Sequence, residues 1–112
     1  MKIVVIWSRF GPYHVARLRG AAGVAAGQGA AIVGIEIARS DSTYEWDTVS
    51  RSDSFERITL FDRETYHDLR ARHIQAKLIG ALEAIAPDAV AVNGWAVAEA
   101  RAAIGWCAGG RR

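Results

Sequence analysis

The chain has 112 residues, of which 51% are hydrophobic and 23% charged, and its formal net charge is +2. This length supports one hydrophobic core, and the apolar fraction excludes an intrinsically disordered chain. The basic residues form no block, which argues against nucleic acid as a partner. Cys107 is the only cysteine, which excludes an internal disulfide and fits the cytoplasmic location that we expect. Binding at a membrane surface stays open, but no feature of the sequence supports it.

Buried-strand patterns alternate with helical patterns along the chain. Four strands are predicted, over residues 2–7, 30–38, 57–61 and 89–93. Three helices are predicted, the first from Gly11-Pro12 to the glycines at 27–29, the second over 64–86 and the third over 96–108. This order predicts an α/β fold, a Rossmann-like parallel sheet with helices on both faces.

A polar segment over residues 39–56 separates the second and third strands, and we expect it to be a loop within one domain that spans residues 1–112. After the last helix a fifth strand would be due, so we read the chain as the front part of a longer protein. Gly20, Gly23 and Gly27 fall in the first helix, where each costs about 1 kcal/mol relative to alanine. We interpret them as positions of close packing between helix and sheet.

Two loops are predicted to share one crevice. Ligands of open parallel sheets bind beyond the carboxyl ends of the strands, where the strand order reverses. If the strand order is 3-2-1-4, the reversal lies between the first and fourth strands. The segments that emerge there are SRFGPYH (residues 8–14) and NGW (residues 93–95).

The residue types in these loops favour a polar ligand that is phosphorylated or sugar-like. Gly11 allows the backbone to approach a ligand closely, and the helix that starts at Pro12 offers unpaired amides. Arg9 and Arg17 could add charge-assisted hydrogen bonds to an anion. Asn93 is the polar candidate on the opposite loop.

Aromatic side chains and one histidine complete the candidate set. Flat faces for a sugar or a base are offered by Tyr13, Tyr44, Trp46 and Trp95, the pair Tyr44 and Trp46 lying in the polar loop. Trp95 could equally be a core residue at a strand end. His14 is a weak catalytic candidate, because imidazole exchanges protons near neutral pH, and a structural or ligand-contacting role is the alternative.

Other motifs are absent. The first turn has no G-x-G-x-x-G, which disfavours dinucleotide binding, although Glu36 lies at the distance where that motif has an acidic partner. Within its strand, Glu36 could be an edge or loop-facing residue. No set of His, Asp and Glu has the spacing of a metal site, so no metal is predicted.

The segments RFGPYHVARL (residues 9–18) and PDAVAVNGW (residues 87–95) resemble the amino-terminal half of a GT-B glycosyltransferase of the retaining family 4 kind. The resemblance implies a domain that mainly holds the acceptor, while a second Rossmann-like domain holds the nucleotide-sugar donor. It assigns Gly11 to the donor phosphates, and it implies a nucleotide sugar as co-substrate without a permanently bound cofactor.

The chain departs from this family at two places. Gly11-Pro12 stands where many members have two glycines, and Asn93 stands where a histidine often follows the fourth strand. The carboxy-terminal domain is missing, so we expect this chain to be inactive alone. Two alternatives stay open: a sugar-nucleotide epimerase-like domain, and a stand-alone non-catalytic Rossmann-like module. Such a module would bind a nucleotide or a protein partner and self-associate through its open sheet edge.

Overall fold

A computed structural model describes residues 1–40 and 55–109 of the chain. The strands are β1 (Lys2–Trp7), β2 (Ala31–Ser40), β3 (Glu56–Thr65) and β4 (Ala89–Ala91). The helices are α1 (Pro12–Gly27), α2 (Ala71–Ile85) and α3 (Ala98–Gly109), and a 3-10 turn over Tyr66–Asp68 precedes α2. The fold is therefore α/β, as the sequence predicts.

The four strands form one parallel sheet in the order β3-β2-β1-β4. Val4 of β1 lies between Val33 of β2 and Val90 of β4. The chain moves outward from β1 to β3 on one side and then returns to the other side with β4. This is the order 3-2-1-4 on which the predicted crevice depends, and the reversal lies between β1 and β4.

Helices cover both faces of the sheet, because successive side chains of a strand point to opposite faces. Val4 and Ile6 pack with Ile74, Leu78 and Leu82 of α2 and with the small residues of α3. On the opposite face, Ile3 and Val5 pack against α1 through its buried side chains Val15, Leu18 and Ala22. The prediction of helices on both faces is confirmed.

Two predicted boundaries are wrong. The second helix does not begin at Glu64, because β3 continues to Thr65, which pairs with Ser40 of the long strand β2. Pairing with a neighbouring strand thus overrides the low strand propensity of these polar residues. The fourth strand ends at Ala91 rather than Asn93, which leaves Asn93 in the loop before α3.

The interpretation of the glycines in α1 is also wrong. A Cβ atom built on Gly20, Gly23 or Gly27 would have no atom within 4 Å, so none of the three marks a close approach. That role belongs to Gly34 of β2, where a Cβ atom would lie 2.9 Å from the ring of Phe10 and 3.0 Å from the ring of Phe55.

Within the described residues, β4 pairs with β1 alone, so its other side is an open edge. An apolar groove of about 330 Å³ lies there, lined by Val90, Val92, Ala103, Ile104, Cys107 and Ala108. The sequence predicted the open edge and not the groove. Across residues 1–40 and 55–109, no helix has both the length and the apolar character required to cross a membrane.

Candidate functional site

The two loops expected to share a crevice are in contact. Ser8 follows β1 directly, and Asn93 lies two residues beyond β4. The Asn93 amide nitrogen lies 3.4 Å from the Ser8 hydroxyl oxygen. The carboxyl ends of β1 and β4 therefore meet where the strand order reverses, as the topology requires.

The buried carboxylate of Glu99 contacts polar side chains of both loops. Its Oε2 accepts a hydrogen bond from the Ser8 hydroxyl at 2.5 Å, and its Oε1 accepts one from the Tyr66 hydroxyl at 2.9 Å. The Asn93 amide nitrogen lies 3.4 Å from Oε2. Ser8, Tyr66, Asn93 and Glu99 are called the Glu99 cluster below, and they come from four separate parts of the chain.

Sequence reasoning did not identify Glu99 as part of the site. The signal that could have found it is a single acidic residue in the alanine-rich run from 96 to 109. Glu99 is fully buried, and a buried carboxylate needs donors to replace its water. Ser8 and Tyr66 supply them, and the first turn of α3 adds the positive end of the helix dipole.

Tyr66 is a hydrogen-bond donor in this cluster. Burial raises the pKa of its phenol above 10.0, and the hydrogen bond to Glu99 raises it further, while the neighbouring Ser8 lowers it in part. The phenol therefore keeps its proton at neutral pH and donates a hydrogen bond to the carboxylate. The Glu99 carboxylate is the acceptor that the surrounding groups share.

Asn93 presents a buried acceptor to this region. Its Oδ1 atom is inaccessible to solvent and has no hydrogen-bond partner within the part of the chain that the structure describes. Buried polar atoms without a partner are rare in folded proteins. Because solvent does not reach this atom, its missing hydrogen bond is a local cost within the cluster.

The turn around Gly11 is tied to the protein itself. The Phe10 amide donates to the Glu36 carboxylate at 3.1 Å, and the Gly11 amide donates to His14 Nδ1 at 3.1 Å. Pro12 has no amide hydrogen. The amides of residues 10 and 11 are thus committed within the protein, and residue 12 has no amide hydrogen to offer to a phosphate. Gly11 has φ −89°, an ordinary value, so the backbone conformation does not require glycine.

His14 has a structural role in this geometry. Its Nδ1 atom accepts the Gly11 amide hydrogen, and its ring lies 4.6 Å from the ring of Trp7, between centroids. The imidazole thereby closes the first turn of α1 and packs on the end of β1. This favours the structural alternative over the catalytic one.

The remaining candidates fall into three groups. Arg17 lies over the ring of Tyr13 at 4.6 Å, on the exposed surface of α1. Trp95 is 80% exposed, so the interpretation of Trp95 as a core residue is wrong. Arg9 follows Ser8 directly and is half-buried, with its Nε atom inaccessible to solvent. Tyr44 and Trp46 lie outside the described residues.

Glu36 occupies a second buried network on the α1 face of the sheet. Its carboxylate accepts hydrogen bonds from the Phe10 amide, from Arg57 at 3.0 and 3.1 Å and from the Thr59 hydroxyl at 2.6 Å. Glu36 lies on the inner strand β2 and is therefore not an edge residue, and its hydrogen bond from the Phe10 amide shows that it faces the β1–α1 loop. Its carboxylate is already bound to Arg57 and to the Phe10 amide of the β1–α1 turn, which argues against a role in binding a ribose.

In residues 1–40 and 55–109, no group of three or more His, Cys, Asp or Glu residues could hold a metal ion. Comparison of the chain with known protein families, with curated proteins and with solved structures finds no match. The geometry of the two loops and of the Glu99 cluster therefore carries the functional argument.

Proposed function

We propose that the chain is the amino-terminal, acceptor-side domain of a GT-B glycosyltransferase, which uses a nucleotide sugar as its co-substrate. The observation that carries the proposal is the contact between Ser8 and Asn93, where the strand order reverses. Ligands of parallel sheets bind at this point of the fold. The resemblance of residues 9–18 and 87–95 to the family supports the same location.

In this proposal, the chain positions an acceptor hydroxyl, and a second domain brings the activated sugar. The acceptor oxygen bonds to the anomeric carbon, the nucleoside diphosphate leaves with the electron pair of the broken bond, and the proton of the acceptor hydroxyl passes to an oxygen of the departing diphosphate. Arg9, which follows Ser8 directly, is the residue of this chain that we assign to the departing diphosphate. Glu99 is fully buried and accepts hydrogen bonds from Ser8 and Tyr66, so we assign it the role of a positioning residue.

The open edge of β4 is compatible with the same proposal. A fifth strand of a complete domain would pair with β4 and cover the apolar groove beside α3. In the alternative of a stand-alone binding module, self-association through the open sheet edge would cover that groove. The two readings differ in ligand, because only the transferase requires a nucleotide sugar at the crevice.

The experiment is a titration of the 112-residue chain with UDP-glucose and GDP-mannose, followed by amide NMR. We expect shifts confined to residues 8–14 and 93–95, with millimolar affinity because the donor's main contacts lie in the second domain. Arg9→Ala should weaken binding about tenfold, the value of one charge-assisted hydrogen bond. Arg72→Ala, which removes an exposed arginine of α2, is the matched control and should leave affinity unchanged.

The proposal fails if neither nucleotide sugar shifts these amides at millimolar concentration. It also fails if Arg9→Ala and Arg72→Ala bind equally well.

A further inference from the structure

The pair Asn93-Gly94 lies in the loop between β4 and α3, and Asn93 is the single asparagine of the chain. We propose that this pair is a site of non-enzymatic deamidation, which the Glu99 cluster restrains in the folded chain and whose products break that cluster. Deamidation here goes beyond the proposed function, because it is a covalent modification of the chain and is independent of the ligand that the crevice binds.

The reaction requires only this chain and water. The backbone nitrogen of Gly94 bonds to Cγ of Asn93, and the bond from Cγ to Nδ2 breaks. The electron pair of that bond leaves with Nδ2, which takes the Gly94 amide hydrogen and departs as ammonia. Water then opens the five-membered imide at one of its two carbonyl carbons. Attack at the side-chain carbon gives aspartate, and attack at the main-chain carbon gives isoaspartate.

The surroundings of Gly94 leave its nitrogen unhindered. Gly94 is exposed and has φ +102°, a conformation that favours glycine. A Cβ atom built on it would have no atom within 4 Å apart from its chain neighbours. The two reacting groups belong to adjacent residues, so the attack is intramolecular and needs no encounter between molecules.

The Glu99 cluster opposes the reaction by holding the leaving group. Nδ2 of Asn93 lies 3.4 Å from both Ser8 Oγ and Glu99 Oε2. The Ser8 hydroxyl hydrogen is committed to Glu99, so both atoms face Nδ2 as acceptors, and the reversed amide would set its oxygen against them. The amide is therefore fixed in one orientation and does not turn freely towards the Gly94 nitrogen.

The burial of Asn93 Oδ1 opposes the reaction a second time. Negative charge develops on this oxygen as the Gly94 nitrogen adds to Cγ, and such a charge needs hydrogen-bond donors. Oδ1 is inaccessible to solvent and has no hydrogen-bond partner among the described residues. The nearby carboxylate of Glu99 adds electrostatic repulsion. Deamidation should consequently proceed chiefly when the β4–α3 loop opens locally.

The products do not fit the cluster. Aspartate at position 93 would place a carboxylate oxygen where Nδ2 now faces Ser8 and the fully buried Glu99. Two carboxylates would then be in contact, so one of them has to take up a proton or the loop has to move away. Isoaspartate adds a methylene group to the main chain, which displaces Gly94. Both products therefore loosen the β4–α3 loop from Ser8 at the end of β1.

The first test compares the folded chain with the chain in guanidinium chloride, both at mildly alkaline pH. Intact mass follows the exchange of ammonia for water, and peptide mapping separates aspartate from isoaspartate. We expect conversion at Asn93 to be about tenfold faster in the denatured chain, the factor that corresponds to about one hydrogen bond. The exposed pair Gln28-Gly29 is the internal control, because its longer side chain would have to close a six-membered ring, and it should stay unconverted.

The second test removes one restraint from Asn93. Ser8→Ala deletes an acceptor of Nδ2 and should speed conversion about threefold in the folded chain, with no change in guanidinium chloride. Thr59→Ala is the matched control, since it deletes a hydroxyl from the separate Glu36 network and should leave the rate unchanged. Circular dichroism verifies the fold of both variants, and if Ser8→Ala does not fold, the comparison of folded and denatured chain decides alone.

The third test concerns the product. Asn93→Asp should lower the thermal midpoint by about 5 °C or more. The same substitution in a Glu99→Gln background should lower it less, because the second carboxylate is gone.

Four results would overturn the inference. Folded and denatured chains could convert at equal rates, or Gln28 could convert as fast as Asn93. Ser8→Ala and Thr59→Ala could speed conversion equally, which would assign the restraint to overall stability. Asn93→Asp could also unfold at the same midpoint as the original chain.

Discussion

The Glu36–Arg57 pair offers a direct test of what holds the β1–α1 turn in place. Glu36 is fully buried, and the Arg57 side chain is 15% exposed. We predict that Glu36→Gln destabilises the fold strongly. The substitution keeps the size of the side chain but leaves the Arg57 guanidinium largely buried without its counter-charge.

The expected magnitude follows from the contacts. Glu36 accepts two hydrogen bonds from Arg57, one from Thr59 and one from the Phe10 amide. Removing one partner of a buried pair costs about 3–5 kcal/mol, chiefly because the other charge stays desolvated. A domain of this size has a free energy of unfolding of about 5–15 kcal/mol, so the variant should be much less stable yet measurable.

The assay is urea unfolding followed by circular dichroism, on a double-mutant cycle. Glu36→Gln, Arg57→Met and the double variant are compared with the original chain. The double variant removes both charges, so its loss of stability should be smaller than the sum of the single losses by about 1–3 kcal/mol. Additive losses, or a loss below about 1 kcal/mol for Glu36→Gln, would refute the reasoning that the buried ion pair holds the turn.

Two further predictions concern packing and titration. Gly34→Ala should cost about 1–3 kcal/mol in thermal unfolding, because its methyl group would meet the Phe10 ring at 2.9 Å. Gly20→Ala, which adds a methyl group in open space on α1, should stabilise the fold by about 0.5–1 kcal/mol. Equal changes in stability for the two variants would contradict this account. The raised pKa of Tyr66 predicts stability that is fully present below pH 10 and lost as pH rises through the folded pKa. Tyr66→Phe should abolish that component of the alkaline loss, and an unchanged pH profile would rule the explanation out.

The sheet was predictable because its signals are local. KIVVIW is a continuous apolar run, and the observed strand has the same bounds, Lys2–Trp7. Pro12 and the glycines at 27–29 bracket α1 by their own backbone preferences. Alternation and handedness restrict how parallel strands can be connected, and the order 3-2-1-4 is one of the orders that they allow.

The site was predictable only in its location. The topology brings the loop that contains Ser8 to the loop that contains Asn93, and this proximity can be predicted without knowledge of the side chains. Glu99 is hydrogen-bonded to Ser8 although the two residues are 91 positions apart in the sequence, and no local sequence pattern encodes such a pairing. The same limit explains the error at Glu64, where pairing with β2 keeps residues 62–65 extended although their composition favours a helix start.

The two buried carboxylates explain why the β1–α1 turn can be rigid without a glycine-rich motif. Glu99 holds the Ser8 side chain on the side of α3, and Glu36 holds the Phe10 amide on the side of α1. Arg9 lies between these two anchored residues, so its position is set by groups on both sides of the sheet. A ligand at Arg9 would therefore bind a preorganised backbone and would not have to order it, which reduces the entropic cost of binding. Loss of either carboxylate should therefore weaken the binding of a ligand at Arg9, although neither carboxylate would contact that ligand.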